Sequence, residues 1–187
     1  MVFSDTEIKE LLKAWAAISV AFAIASDGGS LFDPRTLSLS ALTVGLGFLV
    51  HEMGHKFVAQ RFGYPAEFRA FDTMLIVAIL LSFTGFVFAM PGAVFIAGLP
   101  TNEENGKISV AGPGASLLLA VSFLLLSFLF DSSKSFLIIS QGFQINAWWA
   151  FFNLLPIGNF DGPKIWRWNK GVYGALLLTA FVFSFLI

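Results

Sequence analysis

The 187-residue chain contains no cysteine and only two histidines, His51 and His55. Without cysteine it can form no disulfide, thiol nucleophile or thiolate metal site, so any bound metal must be held by histidine, aspartate or glutamate. Charge is also scarce. Only 12% of the residues are charged, and 11 Lys plus Arg against 12 Asp plus Glu give a net charge of -1. Such a chain has no basic surface for phosphates, which excludes nucleic-acid binding.

Apolar residues make up most of the chain. They account for 57% of it, and the mean hydropathy is +0.80, well above that of an ordinary soluble domain. This composition predicts a multi-pass integral protein of the cell membrane with a single domain over residues 1–187. The expected fold is an all-α polytopic membrane protein with about five full transmembrane helices plus one partial or re-entrant segment. The predicted spans are 14–25, 37–62, 74–90 (the partial one), 113–130, 136–155 and 171–187. For residues 14–25 a cleavable signal peptide is the competing interpretation, although acidic residues precede the apolar run.

One short region has a different character. Residues 93–97 and 107–111 are β-prone, and a polar stretch of Thr, Asn, Glu and Gly separates them. Two such runs around a polar turn predict a small membrane-associated β-hairpin.

The motif His51-Glu52-Met53-Gly54-His55 interrupts the second apolar segment. Histidines four residues apart lie on one face of a helix, where two imidazoles can bind one metal ion, and the adjacent glutamate suits a general base in metal-assisted hydrolysis. Ionisable residues within an apolar helix are costly and usually functional. The sequence therefore predicts a metal site rather than a chance spacing.

A catalytic zinc ion usually has three protein ligands, and with no other histidine the third must be a carboxylate. The acidic candidates outside the N-terminal region are Asp27, Asp33, Glu67, Asp72, Glu103, Glu104, Asp131 and Asp161. Asp161 stands out because Pro156 and Gly158 loosen the end of the preceding apolar segment and allow an acidic side chain to turn inward. A solvated turn at the end of a helix explains the same residues equally well.

Taken together, His51-Glu52-x-x-His55 and Asn153-x-x-Pro156-x-x-x-x-Asp161-Gly162 resemble the site-2 protease family of intramembrane zinc metalloproteases. The stretch Gly112-Pro113-Gly114-Ala115-Ser116 is also similar to that family's Gly-Pro-x-x-Asn/Ser stretch. The resemblance implies one zinc ion per chain bound by His51, His55 and Asp161, with Glu52 as general base. Asn153 would be an oxyanion or substrate-positioning donor. The sequence departs from the family at Gly158-Asn159, where a second proline is common, and at the extra segment 74–90.

The resemblance also implies a reaction and a class of partner. The expected substrate is a membrane protein that is cut within or beside its transmembrane helix in the lipid bilayer. An exposed strand edge formed by Ala93, Val94, Phe95, Ile96 and Ala97 would pair with the unwound substrate, although a hairpin that only closes a loop is the alternative. Lysines and arginines follow both halves of the metal motif, which predicts an active site nearer the cytosolic face. A membrane protein that binds or transports metal without hydrolysis is the alternative function. The sequence does not indicate an oligomeric state.

Overall fold

The computed structural model describes residues 1–28, 33–87, 90–129 and 133–187, and helices dominate these residues. A π-helical turn, Ala41–Gly45, joins α2 to α3, so that Pro34–Arg61 forms one continuous helix. The elements in chain order are α1 (Asp5–Ser26), α2 (Pro34–Ser40), α3 (Leu46–Arg61), β1 (Ala66–Ala70), α4 (Asp72–Ser82), β2 (Gly92–Ile96), α5 (Asn102–Ser127), α6 (Ser133–Asn153), α7 (Asp161–Trp168) and α8 (Lys170–Phe185).

The number of helices that could cross a membrane is smaller than the sequence predicts. Among the described residues two are long and apolar enough, Pro34–Arg61 and Asn102–Ser127. The predicted six-segment polytopic membrane protein is therefore wrong, although the prediction of a mostly helical chain is right. At 1.5 Å per residue, the 11 residues of α4 extend about 16 Å and the 16 residues of α8 about 24 Å, both less than the roughly 30 Å hydrocarbon core.

The remaining predicted boundaries shift for local reasons. The helix predicted at 14–25 begins earlier, at Asp5, because the Ser4 hydroxyl accepts a hydrogen bond from the Glu7 backbone N–H and caps it. Its first nine residues carry five charged side chains, which is unusual for a span. The predicted segment 74–90 ends as a helix at Ser82, before Gly85, whose φ is +80°. Residues 88–89 of that segment and residue 130 of the segment 113–130 lie outside the described residues.

The predicted β-hairpin is also wrong in its second strand. Residues 107–111 belong to α5, because Thr101 and Glu104 form a capping box that starts a helix at Asn102. The first strand is present as β2, and its partner is the unpredicted β1. The two strands are antiparallel, with Ala66 opposite Ile96 and Ala70 opposite Gly92.

The two apolar helices of the core meet through small residues. A Cβ atom on Gly54 of α3 would lie 3.2 Å from the Ala115 side chain of α5 and would also press on the Ala111 carbonyl. Close approach of this kind brings the backbones of α3 and α5 together. On the far side of α5, Leu117 packs with Ala150, Leu154 and residues of α7 and α8. The helix that carries the two histidines is thus held directly against α5.

A buried ion pair fixes the sheet to α1 and α3. The Lys56 ammonium group, 1% exposed, donates to both carboxylate oxygens of Glu7 at 2.8 and 2.7 Å and to the Ala66 carbonyl at 2.6 Å. Glu7 in turn accepts from the Phe68 backbone N–H at 2.9 Å, and Glu10 accepts from the Ala70 N–H. Since carboxylates of α1 occupy the outer edge of β1, the edge of the sheet that remains for other partners is that of β2.

Candidate metal centre

The two histidines lie one turn apart on the face of α3 that meets α5. His51 is 2% exposed, and its Nε2 atom is 3.2 Å from Nε2 of His55. The spacing of four residues places both imidazoles on the same face of the helix, as the sequence predicts. Two nitrogen lone pairs therefore converge on one point inside the protein.

Asp161 reaches the same point from the other end of the chain. α6 ends at Asn153, and the chain turns through Gly158 with a φ of +56° before α7 starts at Asp161. Gly162 permits the tight return, since a Cβ atom there would press on the carbonyls of Leu154 and Leu155. The Oδ2 atom of Asp161 lies 3.1 Å from Nε2 of His55 and 3.5 Å from Nε2 of His51.

This triangle of ligand atoms fits a tetrahedral zinc ion. Its three sides measure 3.2, 3.1 and 3.5 Å. Ligands about 2.0–2.1 Å from a tetrahedral metal are roughly 3.3–3.4 Å from one another, so the observed spacing needs little adjustment. Three protein ligands leave a fourth position open, as in catalytic rather than structural zinc sites.

The outer nitrogens of both histidines are held by α5. Nδ1 of His55 lies 2.8 Å from the Ile108 carbonyl, and because a carbonyl only accepts, that nitrogen carries the proton and leaves the lone pair on Nε2. Nδ1 of His51 pairs with the Ser116 hydroxyl at 3.0 Å. The sequence alone did not identify these two partners, although Ser116 closes the Gly-Pro-x-x-Ser stretch of the predicted family motif.

Gly112 of α5 lies directly against the ligand nitrogens. A Cβ atom at this position would lie 2.7 Å from Nε2 of His51 and closer still to Nε2 of His55. Gly114, two residues later, faces open space. The glycine at 112 therefore keeps the metal position clear of side-chain atoms.

Asp161 remains ionised in this setting. Burial alone would raise its pKa, but without a metal ion the positive charge of a protonated His55 and the contacts with both imidazoles outweigh burial and hold the pKa well below its usual range. Its second oxygen, Oδ1, lies 3.6 Å from the Lys164 ammonium group. A carboxylate that keeps its charge while 5% exposed is suited to a cation.

Glu52 connects the site to the sheet. It is 8% exposed, and the backbone N–H of Val94 in β2 lies near its carboxylate. The predicted general base and the predicted substrate strand are therefore neighbours. This contact could not be predicted from the sequence, because it depends on how the sheet packs on α3.

A curated protein of Methanocaldococcus jannaschii is 38% identical to this chain over 174 residues, which is 91% of the chain and 88% of the relative. Its name is "Putative zinc metalloprotease". The chain belongs to this zinc metalloprotease family. No model of a protein family and no solved structure matches it. The His-His-Asp cluster is consistent with this family, because it offers a zinc ion three ligands and an open position.

The other acidic candidates are engaged elsewhere in this zinc metalloprotease. Glu67, Asp72 and Glu103 form ion pairs with Arg69, Lys13 and Lys107, and Asp33 and Glu104 cap α2 and α5. Asp27 accepts from the Thr36 hydroxyl. Asp131 lies outside the described residues. Among the described candidates, Asp161 is the carboxylate that meets the two histidines.

Asn153 is placed at the end of α6, and its amide nitrogen donates to the Trp149 carbonyl one turn back at 2.9 Å. One N–H of the amide is used in this bond, so a role as oxyanion or substrate-positioning donor would fall to the second N–H. That role in the zinc metalloprotease stays a prediction.

Proposed function

We propose that this zinc metalloprotease is an intramembrane endopeptidase of the site-2 protease type, with one zinc ion per chain held by His51, His55 and Asp161. The observation that carries the proposal is the position of the site. Both histidines lie in Pro34–Arg61, and α5 holds them from the other side. Among the described residues, these are the two helices that are long and apolar enough to cross a membrane. A hydrolytic centre between two such helices suits a substrate that is itself a membrane segment.

The outer surfaces of the two helices support a lipid environment. Leu42 on the π-helical turn is 56% exposed, and Leu118 on α5 is 72% exposed. Large apolar side chains on the outside of a helix are stable in hydrocarbon and unfavourable in water. Location of the site nearer the cytosolic face stays a prediction from the lysine and arginine pattern.

The residues of the site divide the chemistry between them. A bound zinc ion supplies Lewis acidity and lowers the pKa of water at the open position. Glu52 takes the proton from the attacking water and later gives it to the nitrogen of the leaving amine. His51 and His55 are fixed by Ser116 and Ile108, so that both Nε2 atoms keep their direction during the reaction. Asp161 supplies the negative charge that a buried dication requires.

The edge of β2 is the proposed site for the substrate main chain, through Ala93, Val94, Phe95, Ile96 and Ala97. The Phe71 N–H donates to the Pro91 carbonyl, and the Ala97 N–H donates to the Pro65 carbonyl. In the antiparallel register these bonds make the odd-numbered residues of β2 the ones that are hydrogen-bonded to β1. The backbone groups of Gly92, Val94 and Ile96 therefore point the other way, and Val94 lies near Glu52. An extended substrate added to this edge would pass beside the general base.

Backbone N-methylation of a peptide substrate tests this pairing without altering the enzyme. In an added strand, only every second backbone N–H of the substrate donates to β2. Methylating one of these N–H groups should therefore raise KM, and methylating an N–H between them should leave KM unchanged. Loss of one hydrogen bond worth about 1 kcal/mol corresponds to roughly a fivefold increase in KM. Cleavage rates along a methylation scan measure this, and a scan without alternation would contradict strand addition.

The proposed function is tested by reconstituting the protein in vesicles with a single-span membrane protein. Mass spectrometry of the products should place the cut within or beside the substrate span, and a zinc chelator should stop cleavage until zinc is restored. An unfolded soluble protein offered at the same concentration should be cut much more slowly. Efficient cutting of the soluble protein, while the span of the membrane protein stays uncut, would contradict intramembrane proteolysis.

A further inference from the structure

The corner where α7 meets α8 carries cations on an aromatic support. Arg167 and Lys170 are exposed, and no carboxylate of the described residues forms an ion pair with either. The Lys170 ammonium group lies over the Trp166 ring, with 5.2 Å between Nζ and the ring centroid. The Trp166 ring in turn meets the Tyr173 ring edge to face, with 5.3 Å between centroids. The two positive charges therefore stand at a fixed place on the surface.

Packing and helix stability do not explain these side chains. Trp168 packs inward, since a Cβ atom on Gly106 of α5 would press on it, whereas Trp166 is 47% exposed. Lys170 is the first residue of α8, at the end of a helix where the dipole favours acidic side chains and disfavours a cation. Both side chains are therefore available to a partner outside the chain.

An apolar stripe continues from this corner along α8. Leu178 and Phe181 follow Lys170 by 8 and 11 residues, so the three lie on one side of the helix. Leu178 is 64% exposed and Phe181 is 43% exposed. At 1.5 Å per residue, Phe181 is about 16 Å along the helix from Lys170. A pair of cations with an apolar stripe of this length beside it matches a phospholipid, with its phosphate at the cations and an acyl chain along the stripe.

We propose that this surface, formed by Trp166, Arg167, Lys170, Leu178 and Phe181, binds an anionic phospholipid. The Arg167 guanidinium group and the Lys170 ammonium group donate to the headgroup phosphate. The Trp166 ring lies at the level of the headgroups, where tryptophan is enriched in membrane proteins. The proposal rests on the proposed function, because it requires a chain that lies in a bilayer.

The lipid surface is joined to the proposed metal centre by α7. Asp161 is the first residue of this helix, and Arg167 lies six residues later, about 9 Å along the axis. Lys164 lies between them, but it faces Oδ1 of Asp161 at 3.6 Å and does not belong to the surface. A lipid bound at Arg167 therefore restrains the helix that presents the third zinc ligand.

Titration of phosphatidylglycerol into the detergent-solubilised full chain, followed by native mass spectrometry, tests this inference without catalysis. The wild type should bind phosphatidylglycerol more tightly than the zwitterionic phosphatidylcholine. Arg167→Gln combined with Lys170→Gln should weaken phosphatidylglycerol binding by roughly 30-fold, because each cation near an anionic lipid contributes about fivefold. The same change should leave the Kd for phosphatidylcholine unaltered.

Lys107→Gln is the matched control, because this exposed lysine pairs with Glu103 on α5, and it should leave both lipid Kd values unchanged. Circular dichroism reports the folding of each variant. Glycerol 3-phosphate, which has the phosphate but no acyl chain, should not displace the lipid.

Three results would overturn the inference: an equal Kd for phosphatidylglycerol in the folded double variant and the wild type, a wild type that does not distinguish the two lipids, and displacement by glycerol 3-phosphate. A wild type that shows the expected lipid preference but cuts no membrane protein would contradict the proposed function and not the lipid surface.

Discussion

Glu52→Gln should lower kcat for peptide hydrolysis by about 10²–10⁴-fold and leave zinc binding intact. Glutamine has nearly the size of glutamate and keeps one side-chain oxygen, so the packing beside the metal centre should survive. It cannot take a proton from water at neutral pH. The rate of substrate cleavage and the zinc content of the purified variant measure the two effects separately.

Glu103→Gln is the matched control, because this exposed carboxylate on α5 pairs with Lys107 and does not belong to the His-His-Asp cluster. It should leave both cleavage and zinc content near the wild-type values. Cleavage above about a tenth of the wild-type rate in Glu52→Gln would contradict the role of Glu52 as general base. Loss of zinc in that variant would instead favour a metal carrier in which Glu52 is a ligand.

Gly112→Ala should remove most of the bound zinc and with it the activity. The new methyl group would occupy the space beside Nε2 of both histidines, and those are the ligand atoms, so one imidazole would have to move out of position. Loss of one of three ligands weakens a zinc site severely, because the remaining pair cannot enclose the ion. Zinc content by plasma emission spectroscopy and cleavage rate should fall together.

Gly114→Ala provides the control on the same helix, with the same change and nothing within 4 Å of the new atom. Alanine is about 1 kcal/mol better than glycine within a helix, so this variant should keep its zinc and be at least as stable as the wild type. Equal zinc contents in the two variants would show that Gly112 does not border the metal position.

The structure brings together the two histidines and the carboxylate that the sequence singled out, and their role as zinc ligands stays a prediction. The interval of four residues between His51 and His55 determines their common face on any helix, and the absence of cysteine and of further histidine leaves a carboxylate as the third ligand. The structure brings Asp161 to that face. The sequence could not reveal that the Ile108 carbonyl and the Val94 N–H face the site, because backbone groups have no signature in composition or spacing.

The fold was predicted less well because hydropathy does not distinguish a membrane span from a short apolar helix. The 11 residues of α4 are as apolar as a span but too short for one. The β-prone residues 107–111 became helical because the capping box at Thr101 and Glu104 outweighs the intrinsic strand preference. Conversely, β1 has the alternation of a strand, with Ala66 and Phe68 buried and Glu67 and Arg69 facing outward, and this signal was missed.

One zinc ion shared by α3 and α7 is the central prediction, and the zinc content per chain of purified Asp161→Ala tests it. The wild type should contain about one zinc per chain, Asp161→Ala should contain far less, and Asp72→Ala, which removes an exposed carboxylate paired with Lys13, should match the wild type. An Asp161→Ala protein that keeps its zinc would remove Asp161 from the site, and a wild type without zinc would contradict the metalloprotease mechanism altogether.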